Sequence, residues 1–420
     1  MKKYLIIADD FTGANDTGVQ LTKKSIPTKV KFSDSLEDKV ESLVIDTETR
    51  NLSSEETKRK LIKILSPVNL DSYDYVIKKV DSTLRGNIVE ELQIIDNLYT
   101  PDLIIFDNAL PSLNRIIKNG ILYVNGVRGI KTDFSKDPIK PLKEDNILRI
   151  LDRAFPNENK RLFSLEDLRK NNFEIENDCR LYACDSINDQ DMQVLVHKFL
   201  KKVHDKRILW IGSSGIMEAI LNEIYPANPS LGLVGSVSQV TRKQIEYAAQ
   251  NNVTVVAVPI SQVYKNENYS EYVDLAIQSL RNRRDTIIAS SASCDIQELD
   301  NTRQSLVNEG LSMDEINSVV QSVLGGICRK VIEKQTINGL FITGGDTAKG
   351  FFDGIRANSV SIKEEIAIGV PLMRVNGGIF DSLNIVTKAG AFGYDDLITY
   401  SFKKLKENSF KTDFPQEYAV

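Results

Sequence analysis

Apolar residues in this chain fall in short continuous runs, and the segments between them alternate with helical spacing. In the first half, Tyr4–Ala8, Thr28–Phe32, Ser42–Asp46, Tyr75–Val80, Leu103–Asp107, Arg180–Cys184 and Arg207–Gly212 are β-branched runs bounded by turn residues, which predicts strands. Ala14–Lys24, Ser53–Leu65 and Asn87–Asn97 carry a helical period, and Ser53 followed by Glu56 forms a capping box. Continuous apolar strands alternating with helices predict a mostly parallel sheet covered on both faces.

The weakly patterned stretch Tyr225–Leu231, with two prolines, reads as a linker. Beyond it, strands are expected at Val253–Val258, Thr286–Ser290, Gly339–Thr343, Ile366–Ile368 and Asn384–Lys388. Helices are expected between them at Arg242–Gln250, Glu271–Arg283, Asp314–Gln335 and Thr347–Ile355. With 420 residues, too many for one compact core, the expectation is α/β: two α/β domains with mostly parallel sheets, residues 1–228 and 229–420. In open α/β sheets, ligands meet the loops that leave the carboxyl ends of the strands.

The net charge is −5, from 53 basic and 58 acidic residues, which argues against nucleic acid or a membrane as partner. An anionic ligand therefore needs a local cluster of cations or backbone amides. The apolar run at the N-terminus stops at Asp9 and Asp10, too short for a secretory signal, and no window approaches the roughly 20 apolar residues of a membrane span. Four cysteines without CxxC spacing read as reduced, mostly buried thiols, so cytoplasm is the expected location. The two histidines, His197 and His204, sit in an ordinary amphipathic helix and cannot complete a metal triad. Proton transfer is left to Asp, Glu or Lys.

Six loops carry the candidate chemistry. The first strand delivers Asp9-Asp10-Phe11-Thr12-Gly13-Ala14-Asn15-Asp16 into a helix, an acidic cluster that suits a cationic or hydroxyl-rich ligand; capping by Asp16 or Thr12 is the plain alternative. Lys78-Lys79-Val80-Asp81-Ser82-Thr83-Leu84-Arg85 places cations and hydroxyls before a helix start, a cradle for carboxylate or phosphate. Arg50, after a third strand, can add a bidentate partner there. In the second half Gly344-Gly345-Asp346-Thr347 opens a helix, and Lys388–Gly393 and Gly235–Ser238 are loops of the same kind. A glycine pair alone equally marks a tight packing turn. Three such loops in one unit fit a nucleotide phosphate site better, although GxxxxGK[ST] occurs nowhere.

As an ordered set these segments resemble the four-carbon acid sugar kinase family, whose members phosphorylate D-threonate, D-erythronate or 3-oxo-tetronates on the terminal hydroxyl with ATP. The matching segments are IADDFTGANDTG (7–18), DTETR (46–50), KKVDSTLRGN (78–87), GSVSQVTRKQI (235–245), TGGDTAKG (343–350) and KAGAFG (388–393). The stretch 119–141 is also similar, with Thr132, Asp133, Asp137 and Pro138 in the expected order. Where relatives commonly read PAxPxxGR, this chain reads Asn108-Ala109-Leu110-Pro111-Ser112-Leu113-Asn114-Arg115 and lacks the glycine.

The resemblance implies a sugar-acid domain followed by a nucleotide domain, with an interdomain active-site cleft. Carried over by position, Asp10, Arg50, Asp81, Ser82 and Thr83 hold the sugar acid, while Ser236 or Ser238, Gly344, Gly345, Asp346, Thr347 and Gly390 hold ATP. Arg50 with Lys79 or Arg85 is expected to clamp the substrate carboxylate. Asp10, or as second choice Asp81, orients the attacking hydroxyl. Phosphoryl transfer implies Mg²⁺, whose ligands stay unassigned. The expected partners are a small sugar acid and ATP, with a homodimer left open. The rivals from other classes are a metal-dependent sugar-acid dehydratase or isomerase and a non-catalytic nucleotide-binding module.

Overall fold

The structure, a computed structural model, describes residues 2–32, 42–170, 174–176, 178–203 and 205–408. His204 lies outside them. The chain divides into two compact units, Met1–Pro226 and Ala227–Val420. Among the described residues no helix is long and apolar enough to cross a membrane.

The first unit is built on strands β1 (Tyr4–Ala8), β2 (Thr28–Lys31), β3 (Ser42–Asp46), β4 (Tyr75–Lys79) and β5 (Leu103–Asp107). A small antiparallel meander follows: β6 (Arg115–Lys118), β7 (Ile121–Val124) and β8 (Val127–Arg128). Then come β9 (Lys160–Phe163), β10 (Leu181–Cys184) and β11 (Ile208–Gly212). Eight of these make one parallel sheet in the order β2-β3-β1-β4-β11-β5-β10-β9. Strands β1, β3 and β5 are buried along their whole length, which is why they read as unbroken apolar runs. Because β3, β1 and β4 are neighbours in register, residues 9–10, 47–50 and 80–87 leave the same edge of the sheet together.

The second unit carries β12 (Leu231–Val234), β13 (Thr254–Val258), β14 (Thr286–Ser290), β15 (Leu340–Thr343), β16 (Ser359–Ala367), β17 (Val370–Asn376) and β18 (Asn384–Lys388). Their order is β13-β14-β12-β15-β18-β17-β16, parallel through β18 and then antiparallel.

The strand expected at Ile366–Ile368 is the end of β16, which spans Ser359–Ala367 and forms an edge hairpin with β17. Its sequence SVSIKEEIA is exposed at most positions and so lacks an apolar run. Leu231, expected in the linker, instead opens β12 in the middle of the sheet. The strands of the meander, two to four residues long, are too short for their period to show.

Gly212 ends β11 pressed against β5: a Cβ there would lie 2.0 Å from the carbonyl oxygen of Asp107. Relief would require the two strands to part, so Gly212→Ala should destabilise the first unit by at least about 2 kcal/mol. Trp210, the single tryptophan, is fully buried two residues away and reports on that unit's urea transition. A midpoint equal to wild type would show that β11 and β5 are not packed so closely.

Candidate active site

Helix α1 (Phe11–Thr22) starts immediately after β1 because Asp10 caps it: its backbone is extended and its Oδ1 accepts from Gly13 N at 3.0 Å. Thr12 and Asp16, the plain capping alternatives, lie inside the helix. Arg50, in the loop after β3, closes on both aspartates. Its Nε and Nη2 donate to Asp9 at 2.8 and 2.9 Å, and its Nη1 and Nη2 donate to Asp10 at 2.7 and 2.8 Å. The guanidinium is thus filled by protein carboxylates and is held in its charged form, burial notwithstanding, by Asp9, Asp81 and Asp10. A substrate carboxylate could reach Arg50 only by displacing one of them.

Lys79, at the end of β4, is buried and donates to the Val80 carbonyl at 3.0 Å. Burial pushes it below the ordinary lysine range, against the pull of Asp9, Asp81 and Asp16. A Cβ on Gly13 would sit 2.6 Å from Asp10 Oδ1 and 2.8 Å from Lys79 Nζ, so the two groups flank one glycine. Beside it Lys78 pairs with Glu91 at 2.9 Å, both fully buried, which ties β4 to helix α3 (Ile88–Tyr99).

The Asp81–Arg85 turn is internally bonded. Thr83 donates to Asp81, and Arg85 Nε reaches Asp81 Oδ2 at 2.7 Å while its Nη1 reaches Asp137 at 2.8 Å. Burial alone would raise the Asp81 carboxyl; Arg85, Arg50 and the Thr83 hydroxyl hold it below the usual carboxylate range. Leu84 is left-handed at φ +60°, a strained conformation for a leucine that the bonds on either side of it maintain. The structure therefore brings Asp10, Arg50, Lys79, Asp81, Ser82, Thr83 and Arg85 to one sheet edge.

In the second unit the three glycine-bearing loops also meet. Ser238 caps the helix Gln239–Gln250, accepting from Thr241 N at 3.1 Å, and donates to the Gly390 carbonyl at 2.6 Å. A Cβ on Gly390 would fall 2.4 Å from Ser236 Oγ, and one on Gly235 would fall 2.2 Å from Thr347 Oγ1, so a side chain at either glycine would force the facing hydroxyl to shift. Gly344 takes φ +103° before the helix Gly345–Gly354, whose first turn has no side-chain cap and holds the exposed Asp346. Those first amides, with the partial positive charge of the helix start, suit a phosphate group.

The sequence pattern gave no role to three further residues, Lys388, Thr241 and Arg115. Lys388 is buried and donates to the carbonyls of Gly390 at 3.0 Å and Phe392 at 3.2 Å, and Thr241 lies 2.9 Å from the Gly390 carbonyl. Both lay within matched segments but carried no glycine to draw notice. Arg115 is visible only within the loop that lacks the glycine, whereas Asp9 reads as part of the acidic cluster.

Burial pushes the Lys388 ammonium down to about 8. A bound phosphate favours its charged form, so affinity for inorganic tripolyphosphate should fall as pH rises through about 8, and binding at that pH should take up a proton. Isothermal titration in two buffers of different ionisation enthalpy reads both effects, and Lys388→Met should bind weakly without the step. Constant affinity between about pH 7 and about pH 9 would remove Lys388 from the anion site.

Comparison with known proteins agrees with this division. Residues 4–220 match the family model of a sugar-binding N-terminal domain, and residues 231–398 match that of a nucleotide-binding C-terminal domain. A D-threonate kinase of Salmonella typhimurium is 28% identical over 423 residues, covering 96% of this chain and 99% of its own. A D-erythronate kinase of Heliobacterium modesticaldum is 25% identical, covering 98% and 100%. A crystal structure from Bordetella bronchiseptica, a domain-swapped dimer with bound citrate, superposes with a TM-score of 0.62 at 22% identity and covers 96% of this chain and 98% of its own, a likeness of fold. With both domain models matched in order along nearly the whole sequence, the chain belongs to the four-carbon acid sugar kinase family.

Proposed function

We propose that this protein transfers the γ-phosphoryl group of ATP to the terminal hydroxyl of a four-carbon sugar acid, D-threonate or D-erythronate. The observation that carries the reading is the Asp9–Asp10–Arg50 arrangement at the carboxyl edge of β1 and β3. Of the carboxylates there, Asp10 is the one solvent reaches, with 22% of its side chain exposed against 1% for Asp9 and 10% for Asp81. Asp10 accepts the hydrogen bond of the attacking hydroxyl while Arg50 and the Gly13 amide hold its two oxygens in place. Lys79, beside it, offsets the negative charge that gathers as the phosphoryl group approaches.

The nucleotide phosphates rest on the first amides of the helix Gly345–Gly354 and on Lys388. Of the two candidate serines, Ser238 is engaged as a cap and donates to the Gly390 carbonyl; Ser236, which accepts from the Thr241 hydroxyl at 3.1 Å, is the one we assign to a phosphate oxygen. Among the described residues no group of three or more His, Cys, Asp or Glu could hold a metal ion. Mg²⁺ usually takes one or two carboxylates and completes its shell with phosphates and water, a demand that the exposed Asp346 at the helix start can meet. When bound, Mg²⁺ neutralises phosphate charge.

Incubation with ATP and a panel of four-carbon acids, followed by mass detection, should yield a monophosphorylated acid. Sugar-acid turnover without ATP would point to a dehydratase or isomerase, and ATP binding without product to a binding module. Asp10→Asn should lower kcat by about 100-fold or more with little change in ATP affinity. A kcat within a few-fold of wild type would remove Asp10 as the base.

A further inference from the structure

Nearly every cation at the sugar-acid edge is already matched to a protein carboxylate. Arg50 holds Asp9 and Asp10, Arg85 holds Asp81 and Asp137, and Lys78 holds Glu91. Lys79 lies against Asp10 across Gly13. Arg115 is different. Among the described residues no carboxylate lies within ion-pair distance of it, and its Nε is buried with no acceptor. Its Nη1 donates to the Ser82 hydroxyl, and its guanidinium carbon stands 5.7 Å from the centre of the Phe134 ring. Arg85 stands 5.4 Å from the centre of that same ring, so two like charges contact one aromatic side chain. Burial pushes the Arg115 guanidinium below its ordinary range, with Asp81 pulling it up and Arg85 pushing it down.

The chain invests local structure in holding Arg115 there. Leu110 and Arg115 exchange backbone hydrogen bonds of 2.7 and 3.2 Å across the turn that separates them. Asn114 supplies the left-handed residue of that turn at φ +51°, a conformation asparagine tolerates, so the loop closes without the glycine its relatives commonly carry. The buried Asp107 anchors the start of the loop by accepting from Ala109 N at 3.0 Å and from the Ser186 hydroxyl at 2.5 Å. Asn108 donates to the Asp81 carbonyl at 3.1 Å and joins the loop to the Asp81–Arg85 turn. A partly buried guanidinium with no carboxylate partner and an unsatisfied Nε is costly, and its planar fork matches a carboxylate.

We infer that Arg115, with the Ser82 hydroxyl beside it, takes the carboxylate of the sugar acid. This rests on the reading of the site as one for a sugar acid, and it gives the substrate two addressed ends: the hydroxyl end goes to Asp10 and the carboxylate end to Arg115. Arg50 orders the aspartates.

The test compares kcat/KM for D-threonate and D-erythronate with that for their neutral amides, in wild type and in Arg115→Gln, because the ratio does not depend on the fraction of enzyme folded. Wild type should prefer acid over amide by about 100-fold or more, Arg115→Gln should prefer it by less than about 5-fold, and Arg115→Lys should fall between. Equal losses on acid and amide, with discrimination kept, would overturn the inference and place Arg115 at the transferred phosphoryl group instead. Calorimetric titration of the two acids, without turnover, separates this from the kinase reading. Binding to wild type that Arg115→Gln abolishes supports the inference even where no phosphorylated product forms. Binding that survives the substitution, or no binding to wild type, overturns it.

Discussion

The N-terminal site depends on one guanidinium held between two carboxylates. Asp9 and Asp10 are adjacent in sequence, and Asp9 is almost wholly buried, so their mutual repulsion and desolvation would be prohibitive without a cation in place. Arg50 answers both with four hydrogen bonds under 3 Å. It comes from the loop after β3, and the parallel pairing of β1 with β3 is what carries it there. The same bonds pin the loop: the amides of Thr49 and Arg50 both donate to the Asp9 carbonyl, at 3.0 and 3.1 Å. Strand order thus becomes site chemistry through one side chain.

On the proposed reading, the two units would hold their anionic ligands in different ways. The first uses fixed side-chain charges, alternately matched and unmatched, around a short strained turn. The second uses backbone amides, hydroxyls and a single buried lysine, with glycines allowing the loops to touch. The difference suits the ligands each would hold. A small polyhydroxy acid presents directional groups that benefit from individual partners, whereas a phosphate chain is served by a helix start and close backbone approach.

Most of this architecture was legible in the sequence, and the exceptions have physical causes. Buried parallel strands such as Tyr4–Ala8 and Leu103–Asp107 announce themselves because both faces are apolar. β16 did not, because it is exposed at most positions, and the β6–β8 meander did not, because its strands run for only two to four residues. The site loops were legible as places but not as pairings. Nothing in the order of residues says that Arg50 is occupied by Asp9 and Asp10 while Arg115 lacks a carboxylate; that depends on which strands are neighbours. Asn114 stands where the motif lacks its glycine and takes a left-handed conformation that asparagine tolerates, so the apparent loss in the pattern is not a loss of the turn.

A forked guanidinium, and not merely a positive charge, organises the N-terminal site. Arg50→Lys tests it most directly, because an ammonium keeps the charge but cannot bond both aspartates in the plane of one group. The Arg50→Lys variant should keep native circular dichroism and native Trp210 fluorescence while its kcat/KM for the sugar acid falls about 100-fold. A correctly folded Arg50→Lys enzyme with activity within a few-fold of wild type would contradict it.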